Sequence, residues 1–295
     1  MSNKLYFQKR KNLIPKIMKN KTRRDFIKIS ALTATASMLS LKPVKTKPLA
    51  KTYSLKLGLA SYSLRKFDQA QTIAMGKRAG LDYMCFKSMH LPLDASVQDL
   101  KNGVKNVKDA GMILYGGGVI YMTSKEQVDQ AFEYAKNAGM TMIVGVPDPE
   151  LLDYTNSKIK DYNIKVAIHN HGPGDEKYPS PESVYEKIKD LDSRIGLCMD
   201  IGHTQRIGVD PTEAAKKYFS RLFDIHIKDV DKATESGETV EIGRGVIDIP
   251  KFLKLLVDKK YEGVVSFEYE KDENDPLPGL CESVGYVKGC LASIS

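Results

Sequence analysis

The chain has 295 residues, with 45 Lys and Arg against 37 Asp and Glu and a formal net charge of +8. That excess is local: residues 1–50 hold 13 of the bases and one acid, Asp25, which leaves 32 bases against 36 acids beyond Ala50 and a net charge of −4. A mildly acidic body has no electrostatic footprint for nucleic acid, which is excluded as a partner.

The basic start reads as an export signal. "TRRDFIK" at 22–28 precedes an uncharged small and apolar stretch, Ile29 to Leu41, and then "KPVKTKPLA"; paired arginines before a short apolar run describe the twin-arginine type. About 13 apolar residues are too few to span a bilayer, which takes ~20, so no stable membrane anchor is expected. Residues 1–50 are therefore read as a twin-arginine export signal with a short linker. Its expected partner is the twin-arginine translocation machinery and its destination the periplasm. Residues 51–295 are read as one catalytic domain. The cysteines, Cys85, Cys198, Cys281 and Cys290, show no C-x-x-C spacing, and free thiols are expected.

From Lys51 onward, short β-rich runs alternate with helical patterns. Strands are predicted at 55–61, 81–87, 112–118, 141–147, 165–171, 194–200, 222–229 and 263–270. Between them, segments such as "SVQDLKNGVKNVKDAG", "SKEQVDQAFEYAKNAG" and "DIPKFLKLLVDKK" place apolar residues at helical spacing behind Ser, Asp or Pro starts. Eight strand-helix units in about 245 residues predict an α/β fold, a single (β/α)8 TIM barrel. The competing open doubly wound sheet lacks its fingerprint, because "YGGGVIY" does not give G-x-G-x-x-G before a helix.

In such barrels chemistry gathers where strands end. "VAIHNHG" puts His169 and His171 on one strand face, and His203 and His226 lie at or beyond later strand ends. Strand parity groups Asp224, His226 and Lys228 on one face, and Ser266, Glu268 and Glu270 on another. If those faces look into the barrel mouth, His169, Asp200, His226 and Glu268 converge from four consecutive strands. Two imidazoles and two carboxylates suit a divalent metal ion: Mn, Co, Ni, Fe or Zn. A lone strand-end histidine is usually a hydrogen-bonded structural residue; four of them with two acids at one barrel end favour a metal. His90, His171, His203, Arg206 and Arg244 are candidate substrate-binding residues. The "GRG" turn at 243–245 also reads as a plain tight loop.

The stretches "HNHG", "CMDIGHTQRIG", "HIKD", "EIGRGVIDIPKFLKLL" and "SFEYE" resemble the sugar phosphate isomerase/epimerase superfamily, the xylose isomerase-like TIM barrels. The resemblance implies metal ligands from strands five to eight: an acid, then Asp, His and Glu. By position these fall on His169, Asp200, His226 and Glu268, and His169 departs from the family's acid. Epimerisation in that family uses two metal-bound carboxylates, so the departure favours elimination, hydration or one-face isomerisation. Among exported barrels of this kind are 3-keto-glycoside 1,2-lyases and hydratases. The expected activity is thus a metal-dependent sugar lyase, with an isomerase or epimerase as the alternative and a non-catalytic sugar-binding barrel as the reading of another class. The expected partner is a small-molecule, unphosphorylated carbonyl sugar; self-association into a homo-oligomer stays open. Glu268, His169, Lys87 and Lys228 are the candidate catalytic groups that move the proton, although both lysines also read as surface or salt-bridged residues.

Overall fold

The computed structural model describes residues 55–294, so the predicted export signal and linker lie outside the described residues. Eight parallel strands close into a barrel: β1 (Lys56–Ala60), β2 (Tyr83–Phe86), β3 (Ile113–Met122), β4 (Met142–Pro147), β5 (Lys165–His169), β6 (Ile195–Asp200), β7 (Leu222–Ile227) and, closing it, β10 (Val264–Phe267). β1 pairs with both β2 and β10, which leaves no open edge. Helices α1 (Gln69–Arg78), α2 (Val97–Asp109), α3 (Lys125–Asn137), α4 (Leu152–Tyr162), α5 (Pro181–Ile188), α6 (Ile201–Arg206), α7 (Pro211–Lys217), α8 (Ile249–Asp258) and α9 (Leu277–Ile294) follow the strands. None of the helices among the described residues is long and apolar enough to cross a membrane.

Local chemistry explains where these elements start and stop. Ser96 Oγ accepts the Asp99 amide and Ser124 Oγ the Gln127 amide, so α2 and α3 begin at the serines their patterns predict. Gly111 and Gly139, both with positive φ, end those helices. Leu100, Gly103 and Val107 of α2 are buried, as are Val128, Ala131, Phe132 and Ala135 of α3. Each helix thus lays one apolar stripe against the barrel wall. The strands are buried on both faces, which is why β5 and β6 read as nearly unbroken apolar runs until their last residues, His169 and Asp200.

Three predicted strands end two or more residues sooner than expected, and the first, β5, stops at His169, which leaves His171 in the loop beyond it. β7 stops at Ile227, and pairing resumes outside the barrel as a hairpin of β8 (Asp229–Val230) with β9 (Thr239–Val240). Asp229 causes the departure. Its buried carboxylate accepts the amides of Val230, Gly243, Gly245 and Ile247, which pins the "GRG" loop beneath the strand end. A Cβ on Gly245 would lie 2.2 Å from Asp229 Oδ1, so only glycine fits there. Asp229→Ala should lower stability by about 3 kcal/mol, since two buried and two half-buried amides lose their acceptor; urea unfolding measures it. A change below about 1 kcal/mol would contradict that role. β10 likewise ends at Phe267, one residue before Glu268.

Candidate active site

Strand register aligns the site. His169 pairs with Cys198 and Asp200 with His226, while His226 pairs with Ser266. His169, Asp200, His226 and Glu268 therefore rise to one level at the C-terminal mouth, all buried. His169 Nε2 lies 3.1 Å from His226 Nδ1, 3.6 Å from Asp200 Oδ2 and 3.9 Å from Glu268 Oε2. His226 Nδ1 lies 3.1 Å from Glu268 Oε2, and one ligand atom from each of the four residues falls within 4.8 Å of the others. Above them opens a cavity of about 300 Å³ lined by Tyr62, Lys87, Val119, Tyr121, His169, His171, His203, Glu268 and Glu270.

A model of the family described as xylose isomerase-like TIM barrel matches residues 77–290. The chain belongs to the xylose isomerase-like TIM barrel family. An inosose dehydratase of Clostridium botulinum is 27% identical over 147 residues, 43% of this chain and 48% of that protein. The chain thus spans about half the length of this curated relative. Among solved structures, an uncharacterised protein of Parabacteroides distasonis superposes with TM-score 0.64 and 25% identity, over 80% of this chain and 99% of that one. The 3-keto-D-glucoside 4-epimerase of E. coli gives TM-score 0.65 and 14% identity over 80% and 100%, a likeness of fold alone.

Within this family frame, the four residues fit a metal on their own geometry. A cation about 2.0–2.2 Å from each of four donors sets neighbouring donors roughly 3.4 Å apart; the closest measured pairs run 3.1 to 3.9 Å. Asp200 Oδ2, which faces His169 Nε2, has no hydrogen-bond partner although Lys228 Nζ lies 2.9 Å away. Burial holds the His169 pKa down at about 3, against the pull of Asp200, so its ring is neutral and able to donate a lone pair. Burial pushes Glu268 and Asp200 upward, but the opposing charges win. His226 and Lys228 hold Glu268 well below the usual carboxylate range, and His203 and Lys228 hold Asp200 below it.

Lys228 is the most constrained charged group of the site. Its Nζ lies 2.9 Å from Asp200 Oδ2, 2.9 Å from Glu268 Oε2 and 3.0 Å from Glu270 Oε2. Burial lowers its pKa, yet the three carboxylates outweigh burial and raise it well above the ordinary lysine value. Its stem reaches the site because Gly202 has no side chain; a Cβ there would sit 2.4 Å from Lys228 Cγ. Lys87 differs. Burial lowers its pKa despite Glu268, and Nζ donates to Val119 O at 2.7 Å on the cavity wall.

The remaining sequence-predicted residues divide. His171 and His203 line the cavity; His171 Nε2 lies 3.0 Å from Tyr121 Oη, and the His203 amide caps onto Asp200 Oδ1 at 2.7 Å. His90 lies outside that lining: it is buried, with Nδ1 2.8 Å from Ser61 Oγ and Nε2 near the Leu64 and Phe67 carbonyls. Arg206 donates to Glu235 O, and Arg244 forms a two-bond pair with Glu282, so neither joins the cavity wall. A larger cavity, about 860 Å³, opens at the opposite barrel end and receives none of these residues.

Sequence reasoning missed Tyr62 and Glu270 as parts of the site. Glu270 shares strand parity with Glu268, and Tyr62 follows the end of β1, so both carried the same strand-end signal. It also missed the buried network below His226: Tyr115 Oη donates to Asp224 Oδ2 at 2.9 Å and lies 2.6 Å from Ser266 Oγ. Burial pushes the Asp224 pKa up to about 7 against the pull of His226 and the Tyr115 hydroxyl.

Proposed function

We propose that the chain is a divalent-metal-dependent enzyme that removes a proton next to the carbonyl of an unphosphorylated keto-sugar, with 1,2-elimination or hydration of a 3-keto-glycoside as its reaction. The convergence of His169, Asp200, His226 and Glu268 beneath a polar cavity carries this reading. These four residues would hold the metal, which supplies Lewis acidity at the substrate carbonyl when bound. Lys228 is kept protonated by three carboxylates, so it supplies positive charge and takes no proton at neutral pH. Lys87, with its lowered pKa and its amine on the cavity wall, is the group assigned to move the proton. Tyr62 and Tyr121 supply ring faces for the sugar in a chain without tryptophan. The proposed setting is the periplasm, in keeping with the twin-arginine pattern.

Incubation of the purified protein with a 3-keto-glycoside in D2O, followed by proton NMR, tests the reading. An unsaturated keto-sugar that has lost its C2 hydrogen, or a hydrated keto-sugar that carries deuterium at C2, is the expected product. Lys87→Met should lower kcat by about 10²–10⁴ at unchanged metal content. A keto-glycoside that stays unchanged, with neither elimination nor deuterium uptake, would contradict the proposal. Epimerisation is the second reading, favoured by Glu270, whose carboxylate shares the cavity with Glu268; it predicts an epimer in the same spectrum.

A further inference from the structure

A second cavity, about 450 Å³, adjoins the first and shares two of its wall residues, Tyr121 and His171. Its outer wall is the loop after β5, where Pro173, Glu176 and Lys177 face it, with Val146 on its floor. Tyr121 is 52% exposed, yet its ring is fixed. His171 stacks on it at 5.6 Å between centroids and an interplanar angle of 23°, and His171 Nε2 meets its hydroxyl.

The loop itself is braced. Asp175 Oδ1 accepts the amides of Lys177 and Tyr178, and Asp175 Oδ2 lies 3.1 Å from His171 Nδ1. Tyr178 Oη donates to Pro147 O at 2.8 Å, the His171 amide donates to Tyr178 O at 3.1 Å, and Lys177 is paired with Asp148. Such a loop presents a standing surface that costs little ordering when a ligand arrives.

We infer that this outer cavity is a subsite for a second, uncharged sugar ring linked to the one held over His169, Asp200, His226 and Glu268. The inference rests on the sugar reading above and deepens it, because it makes the substrate a glycoside of at least two rings. Size and chemistry agree. About 300 Å³ stands at the lower end of small-molecule sites, enough for one ring, and the adjoining 450 Å³ takes another. A fixed, half-exposed tyrosine face suits the C–H face of a pyranose, and Glu176 and the loop backbone suit its hydroxyls. The wall carries Asp175 and Glu176 while Lys177 is committed to Asp148, so a phosphate or carboxylate would be repelled.

Calorimetric titration of the purified protein tests the subsite without turnover. The probes are methyl glucoside and the disaccharides maltose, cellobiose and trehalose. At least one disaccharide should bind about tenfold or more tighter than the monosaccharide. Glu176→Ala/Lys177→Ala, confined to the outer cavity, should erase that advantage and leave methyl glucoside binding unchanged. Equal affinity for both sizes, or a variant that weakens both alike, would overturn the subsite while leaving the sugar reading intact. Failure of every sugar to bind would overturn the subsite, and turnover of the 3-keto-glycoside in D2O then decides the sugar reading separately.

Discussion

Asp200→Asn should give a folded protein that retains less than about a tenth of the wild-type metal and loses at least about 10³ in kcat/KM, roughly 4 kcal/mol of barrel-mouth chemistry. Asparagine separates two jobs of one side chain. Asp200 Oδ1 accepts the His203 amide and starts α6, a cap worth about 1 kcal/mol, and an asparagine oxygen can do the same. Oδ2, buried and facing His169 at 3.6 Å, is the position where charge matters. A thermal melt within a few degrees of wild type, beside elemental analysis and the activity assay, checks the separation. Wild-type metal content in the variant would mean that Asp200 serves the helix and not an ion.

Lys228→Met should destabilise the metal-free protein by about 3–5 kcal/mol, the usual cost of removing one partner from a buried ion pair. Methionine keeps the stem that passes Gly202, so packing changes little. What is lost is the ammonium 2.9–3.0 Å from Asp200, Glu268 and Glu270, leaving three carboxylates to face one another across a buried site. A divalent metal would replace part of that charge. Adding Mn²⁺ or Zn²⁺ should therefore recover more stability in Lys228→Met than in wild type, read as a larger rise in the urea midpoint. A loss below about 1 kcal/mol, with no extra metal response, would place the lysine outside the charge balance of the site.

The barrel was legible because each unit obeys local rules: two-faced apolar strands, helices opened by Ser or Asp and closed by Gly. The convergence of His169, Asp200, His226 and Glu268 was legible for a related reason. In β5 after Lys165, and in β6, a polar residue appears only where the apolar run stops, at His169 and Asp200, at the level of the mouth. Closure of the barrel supplied what no local pattern holds. Lys228 lies between Asp200 and Glu268 because β7 stands between β6 and β10. Tyr115 reaches Asp224 across 109 residues of sequence. The arginines mislead for the opposite reason, since charge alone does not say whether Arg244 faces a ligand or, as here, Glu282 on α9.

Elemental mass spectrometry on the purified chain after loading with Mn²⁺, Co²⁺, Ni²⁺, Fe²⁺ or Zn²⁺ and removal of excess tests the metal centre most directly. One equivalent of a divalent ion per chain, lost in Asp200→Asn and in His226→Ala, is the predicted result. Protein that stays metal-free under every loading condition, with wild-type and variants alike, would contradict it and leave His169, Asp200, His226 and Glu268 as a buried polar cluster balanced by Lys228 and its neighbouring histidines.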